Sequence, residues 1–222
     1  MPVRRDWESR CFTSAETFWT SDPLQPRIAT KHMRASWVCG ATMTLKVKGF
    51  TRLTIKARVA FVIYLADSLL NDLDADEQGR KIAERALGMA SVWLKGEPVD
   101  GEQLNSLLLD ENDEGIFIYV DSRDPKATDA AYNVIGGAIT YTAWQAYRAS
   151  GVVVLPEGIE EVTEEFVGWI LAEATKAESF NPNDTQRAHD FLLSRYPIKG
   201  SDELGDIVDL KQMIATLQRQ ST

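Results

Sequence analysis

The chain has 222 residues, 44% of them apolar and 26% charged, which suits one globular domain with or without a tail and excludes a disordered chain. The net charge is −9, with +7 on residues 1–58 and −16 on residues 59–222. The acidic body disfavours binding to nucleic acid or to an anionic membrane and suits a basic partner.

Cysteine usage and the longest apolar run indicate a cytoplasmic protein. Both cysteines, Cys11 and Cys39, precede the acidic body, which therefore has no disulfide framework and no thiolate zinc site. The N-terminus lacks the uninterrupted apolar segment of a signal peptide. The longest apolar run, Val59–Ala66, ends at Asp67, well short of the roughly 20 residues that a membrane span needs.

Residues 1–45 differ from the rest of the chain in charge and in pattern. Trp7, Trp19 and Trp37 stand among basic and small polar residues without helical or strand periodicity. We expect a disordered or misannotated basic tail, with the true start at Met1, Met33 or Met43. Residues 46–222 are expected to form the folded domain.

Regular helical spacing begins after Thr51. Seven apolar residues recur at helical intervals and form the first helix face: Val59, Val62, Ile63, Ala66, Leu69, Leu70 and Leu73. A buried strand at residues 59–64 is the minor alternative. A second helix is predicted from Asp76 to Lys95, ended by Gly96. Asp100 and Gln103 resemble a capping box that opens a short third helix.

The next apolar stretch, residues 116–120, has the composition of a strand but no obvious partner. An unpaired strand leaves backbone groups unsatisfied, so we expect extended chain or the start of the next helix. Pairing with a second apolar stretch, Val152–Pro156, is the alternative.

The most distinctive stretch is a nearly uncharged helix from about Pro125 to Ser150. No charged residue lies between Asp129 and Arg148, so this helix is expected at the centre of the core. Gly136 and Gly137 are expected to permit close approach of a neighbouring element.

Three further helices complete the prediction. One begins at a Thr163 cap and runs to about Ala177, the next begins at Asn181 and Pro182, and the last spans Asp202–Gln218. The fold is therefore expected to be all-α, a single helical-bundle domain around a central apolar helix.

Groups suited to catalysis are scarce. The two histidines are His32, in the tail, and His189, expected at the solvent edge of its helix. No zinc-protease motif, phosphate loop or nucleophile elbow is present. We therefore predict no catalytic residue, no metal site and no cofactor, and we favour a binding protein over an enzyme.

Clusters of acidic residues are the candidate binding surfaces. A negative face would steer a cationic partner, although a solvated surface is the ordinary explanation of such a cluster. Trp169 follows Gly168 off the main apolar stripe of its helix, where core packing is its ordinary role and a partner contact the alternative. The candidate acidic residues are Asp110, Glu111, Asp113, Glu114, Glu157, Glu160, Glu161, Glu164 and Glu165. A third candidate cluster comprises Asp202, Glu203, Asp206 and Asp209.

Several features together resemble a known family. They are Trp93-Leu94-x-Gly96, Leu104, Tyr141-x-x-Trp144-x-x-Tyr147, Leu155-Pro156 and Ile159-Glu160-Glu161-Val162. The pattern, over roughly residues 55–197, resembles the sixth numbered family of immunity proteins from bacterial polymorphic toxin systems, which is expected to be all-helical.

This resemblance implies an antidote, encoded beside its toxin, that binds the toxin and blocks it by occlusion. The expected partner is a cognate basic protein toxin, and neither nucleic acid nor a membrane is expected as a partner. An enzyme that reverses a toxin's covalent modification and a general helical adaptor are the alternatives.

Overall fold

The computed structural model describes residues 49–73, 77–108, 115–120, 127–200 and 203–219, all within one compact unit. The predictions for the tail at residues 1–45 lie outside these ranges. Within them the regular structure is helical, which confirms the all-α prediction. The α-helices of these ranges are α1 (Ile55–Ser68), α2 (Glu77–Leu94), α3 (Gly101–Asn105), α4 (Ala127–Ala149), α5 (Phe166–Ala174), α6 (Pro182–Arg195) and α7 (Leu210–Arg219).

The predicted central helix is α4, and it packs against α1, α2, α3 and α5. Its side chains from Ala138 to Tyr147 are all buried, as the absence of charge predicts. Two threonine hydroxyls of α4 form hydrogen bonds within the helix. Thr140 donates to the Gly136 carbonyl at 2.8 Å and Thr142 donates to the Ala138 carbonyl at 2.7 Å. These two threonines therefore enter the core with their hydroxyl groups hydrogen-bonded.

The two consecutive glycines of α4 lie where neighbouring side chains come closest. A Cβ added at Gly137 would lie 2.8 Å from Cζ3 of Trp169 and 3.0 Å from Cγ1 of Ile170, both on α5. A Cβ added at Gly136 would lie 2.5 Å from the ring of Phe117. The predicted role of these glycines in close packing is confirmed.

The capping box before α3 is also confirmed. The side chain of Asp100 accepts from the backbone N–H of Gln103 at 2.8 Å, and the Gln103 side chain accepts from the Asp100 N–H at 3.1 Å. Two orphan donors of the helix start are thereby satisfied.

The apolar stretch at residues 116–120 is neither a strand nor part of α4. Ile116–Tyr119 form a 3-10 helix, a turn tighter than the α-helix. The N–H groups of Ile116 and Phe117 donate to the carbonyls of Leu107 and Leu108 at 3.0 and 3.2 Å. The turn after α3 thus supplies the acceptors that a strand partner would have supplied, and no pairing with residues 152–156 occurs.

The last predicted helix begins later than expected, at Leu210. The carbonyls of Glu203 and Leu204 instead accept from the N–H groups of Ile55 and Lys56 at 2.6 and 3.1 Å. These bonds satisfy donors that the first turn of α1 leaves open. The segment before α7 is therefore a backbone cap for α1, and α7 takes Asp209 as its own cap, 3.1 Å from the Gln212 N–H.

The structure corrects the expectation for His189, which is 2% exposed rather than at the solvent edge. Its ring lies edge-on to Phe61 of α1, with centroids 6.1 Å apart. Nδ1 lies 3.2 Å from Oδ1 of Asp190. The helix start at Asn181 and Pro182 is confirmed, with the Asn181 side chain accepting from the N–H of Asn183 at 3.0 Å.

Candidate functional site

One cluster of predicted acidic residues lies in an irregular segment, which we call the acidic turn (residues 157–165). Glu157, Glu160, Glu161 and Glu165 are exposed on it, whereas Glu164 is only partly exposed. A second predicted cluster, Asp110, Glu111, Asp113 and Glu114, lies outside the described residues. Of the third, Asp202 lies outside them as well, and Glu203, Asp206 and Asp209 are exposed in the segment before α7.

Buried apolar side chains and backbone bonds hold the acidic turn in place. Ile159 and Val162 are 2% and 4% exposed and belong to the core. The Pro156 carbonyl accepts from the N–H groups of Ile159 and Glu160 at 3.0 and 3.1 Å. The turn therefore has a defined backbone, although helix α5 begins only at Phe166 and not at the predicted Thr163 cap.

Glu164 points inward and is the centre of a polar cluster formed with four residues of α1 and α4. Its Oε1 lies 2.8 Å from Nη1 of Arg58, 3.5 Å from Nη1 of Arg148, and 3.2 Å from the Gln145 amide nitrogen that donates to it. Its Oε2 accepts from the Tyr141 hydroxyl at 2.6 Å. We call these five residues the Glu164 cluster.

The Glu164 cluster provides the counter-charge for the Arg58 guanidinium, which the fold places in the core. The Arg58 side chain is 10% exposed, and it also donates to the carbonyls of Leu53 and Thr51 at 2.9 and 2.8 Å. Arg148 is more exposed and stacks over the Trp144 ring at 4.6 Å. Burial, and then the nearby Glu164 carboxylate, raise the pKa of Tyr141, so its hydroxyl remains a neutral donor.

Glu164 therefore differs from the other acids of the turn. Its charge is matched by two arginines, whereas among the described residues no basic side chain forms an ion pair with Glu157, Glu160 or Glu161. These three carboxylates give the turn its outward negative charge, and Glu164 attaches the turn to α1 and α4.

Sequence reasoning missed the partners of Glu164. The available signal was the presence of Arg58 at the start of an apolar helix face and of Gln145 within an uncharged helix. A buried polar group requires a partner, so both positions indicated a cluster without indicating which carboxylate would close it.

Trp169 is half-buried and lies beside α4. Its ring stacks on Phe166, with centroids 5.2 Å apart and an interplanar angle of 22°. Together with its approach to Gly137, this makes Trp169 largely a packing residue, with one part of the ring at the surface.

The described part of the chain contains no group of three His, Cys, Asp or Glu side chains placed to hold a metal ion. In the same residues, no helix combines the length and apolar composition needed to cross a membrane.

The described residues thus form a helical domain that carries a buried polar cluster and an exposed acidic turn, and the family comparison assigns its class. The profile of the family described as Immunity protein Imm6 matches residues 57–177, more than half of the 222 residues. The chain belongs to this family, which confirms the resemblance seen in the sequence. The match includes α1 from residue 57 onward, α2 to α5, the acidic turn and the whole Glu164 cluster. Searches of curated proteins and of solved structures give no match.

Proposed function

We propose that this protein neutralises a cognate toxin by binding it and covering a surface that the toxin needs for its activity. The observation that carries the proposal is the set of exposed carboxylates on the acidic turn. Glu157, Glu160 and Glu161 form no ion pair with a basic side chain of the described residues, and they lie within the family-matched segment. Binding alone suffices for neutralisation, so this function requires no catalytic group, metal or cofactor.

The proposed partner is a basic protein toxin encoded by a neighbouring gene, met in the cytoplasm. Unpaired carboxylates attract a cationic surface, raise the encounter rate and penalise acidic competitors. Glu157, Glu160, Glu161 and Glu165 are the proposed toxin-binding carboxylates. Glu164 has a structural role instead, because its charge is already paired with Arg58 and it attaches the acidic turn to the core.

Trp169 is proposed to lie at the edge of the interface. Half-buried aromatic rings provide large contact area at low entropic cost, which is why they contribute strongly to many interfaces. The acidic residues Asp110, Glu111, Asp113 and Glu114 remain a predicted second part of the toxin-binding surface.

Co-expression with the product of the adjacent toxin gene tests this function. We expect growth rescue and a stable complex of the two purified proteins, with protection proportional to the amount of complex. Purified protein without bound toxin should leave toxin-modified target unchanged. Restoration of that target by the free protein would contradict occlusion and favour an enzyme that reverses the modification.

A further inference from the structure

The most exposed apolar side chains of the described residues are consecutive. Val153 and Val154 are 91% and 85% exposed, and we call them the valine tip. The other large apolar side chains at the described surface range from 39% to 56% exposure. Scattered half-exposed aliphatic residues are ordinary, but two adjacent residues almost free of contact form a projection.

The backbone before the valine tip is fixed by the end of α4. The N–H groups of Gly151 and Val152 donate to the carbonyls of Arg148 and Tyr147 at 3.1 and 3.0 Å, which is the Schellman arrangement. Gly151 has φ +75°, a left-handed conformation that glycine adopts without strain. The chain therefore leaves α4 in one defined direction.

The backbone after the valine tip is fixed as well. Leu155 packs against the core, and the Pro156 carbonyl accepts from two N–H groups of the acidic turn. The tip is thus a short apolar projection between two anchored ends. Because its backbone is already held in place, little conformational entropy is lost when a partner covers the two valines.

We propose that the valine tip inserts into an apolar depression on the toxin that is bordered by lysine or arginine residues. This proposal rests on the proposed function and adds the shape and chemistry of the partner surface. An almost fully exposed projection fits a concave site. The carboxylates that follow it, Glu157, Glu160 and Glu161, require the border of that site to be positive.

The same carboxylates argue against other possible binding partners of the valine tip. A symmetric contact between two copies of this chain would place each acidic turn against its counterpart, which like-charge repulsion disfavours. An anionic membrane would meet the same repulsion. A basic protein surface is the partner that could interact favourably with both the valines and the carboxylates.

The test compares Val153→Asp/Val154→Asp with a matched control, Ile207→Asp, which changes a 56% exposed aliphatic residue outside the family-matched segment. Both variants should melt within a few degrees of the wild type. Binding is measured by calorimetry against a catalytically inactive form of the toxin encoded by the adjacent gene. We expect the tip variant to weaken the Kd by at least about 30-fold and the control by less than about threefold. Val153→Ala/Val154→Ala should weaken it by an intermediate factor and serves if the aspartates impair folding.

Four outcomes would overturn the proposal. If the wild type binds the toxin and the tip variant binds within threefold of it, the tip lies outside the interface while the immunity function stands. If the wild type does not bind the toxin, the proposed function fails and the tip interface fails with it. A dimer in sedimentation that Val153→Asp/Val154→Asp dissociates would assign the tip to self-association. Flotation with phosphatidylglycerol vesicles that depends on the valines would assign it to a membrane.

Discussion

Glu164 forms a 2.8 Å ion pair with Arg58, and this contact joins the segment before α5 to the first turn of α1. The pair also links the buried part of the protein to its acidic surface, because residues on either side of Glu164 face outward. One carboxylate of the acidic turn therefore has a structural role, while its neighbours remain available to a partner.

The first prediction is that Glu164→Gln lowers the free energy of unfolding by about 2–3 kcal/mol, because it leaves the buried Arg58 guanidinium without its counter-charge. Glu165→Gln, at the adjacent exposed position, should change it by less than about 0.5 kcal/mol. Urea unfolding followed by circular dichroism measures both. Equal stabilities of the two variants would mean that the Arg58 pair contributes nothing measurable.

This result also affects how the acidic turn should be mutated. A charge reversal that includes Glu164 would combine loss of stability with loss of partner binding, because Arg58 and Arg148 would then face a lysine. Reversals confined to Glu160 and Glu161 separate the two effects.

The second prediction concerns close packing between α4 and α5. Gly137→Ala should destabilise the protein by about 1–3 kcal/mol, because the new methyl group meets the Trp169 ring and Ile170 at 3.0 Å or less. Gly88→Ala is the matched control, since an added Cβ there has no atom within 4 Å and it lies within helix α2. The free energy of unfolding of the control should rise by about 0.5–1 kcal/mol, because alanine has a higher helix propensity than glycine. Thermal melts of both variants give the comparison, and a Gly137→Ala melt at or above the wild-type temperature would contradict it.

Much of the fold followed from local patterns in the sequence. The uncharged stretch around Tyr141 and Trp144 identified the central helix, and Asp100 with Gln103 identified the capping box, because both signals depend on neighbours within a few residues. The family resemblance likewise rested on short local motifs, among them the one that contains Tyr141 and Trp144.

The features that sequence reasoning missed depend on contacts between distant segments. The carbonyls of Glu203 and Leu204 cap α1, so they cannot lie within the last helix as its pattern suggested. His189 is buried because α6 packs against Phe61, and nothing in its neighbouring residues indicated that contact. Glu164 was indistinguishable from Glu160 and Glu161 in a run of acids, since only the fold aligns it with Arg58.

The third prediction concerns pH and Asp67, which lines a surface cleft with Tyr64 and Asp184. Burial, and then the charge of Glu84, raise the pKa of Asp67 above its ordinary value of 3.8. The folded protein therefore binds this proton more tightly than the unfolded chain. The resulting stabilisation is complete below about pH 3.8 and is lost as the pH rises through the raised value.

Asp67→Asn should consequently raise the melting temperature at neutral pH and converge with the wild type in acid. Asp206→Asn, at an exposed position, makes the same change in net charge and should have little effect at either pH. Thermal melts across the acidic range measure the difference. A benefit of Asp67→Asn that persists unchanged below pH 3.8 would show that its cause is not the titration of this carboxyl.

The last prediction is that Glu160→Lys/Glu161→Lys slows association with the toxin by about tenfold at low ionic strength and leaves the dissociation rate nearly unchanged, because exposed charges act mainly during the encounter. Glu97→Lys/Glu178→Lys changes the net charge equally at exposed positions outside the predicted acidic clusters and should slow association by less than about threefold. Stopped-flow measurements of the association rate at increasing salt concentration separate the effect of the acidic turn's charge from that of the overall net charge. The difference between the two variants should vanish near about 1 M salt, where screening acts within about 3 Å. Equal association rates for the two variants at low salt would place the toxin-binding surface elsewhere on the protein.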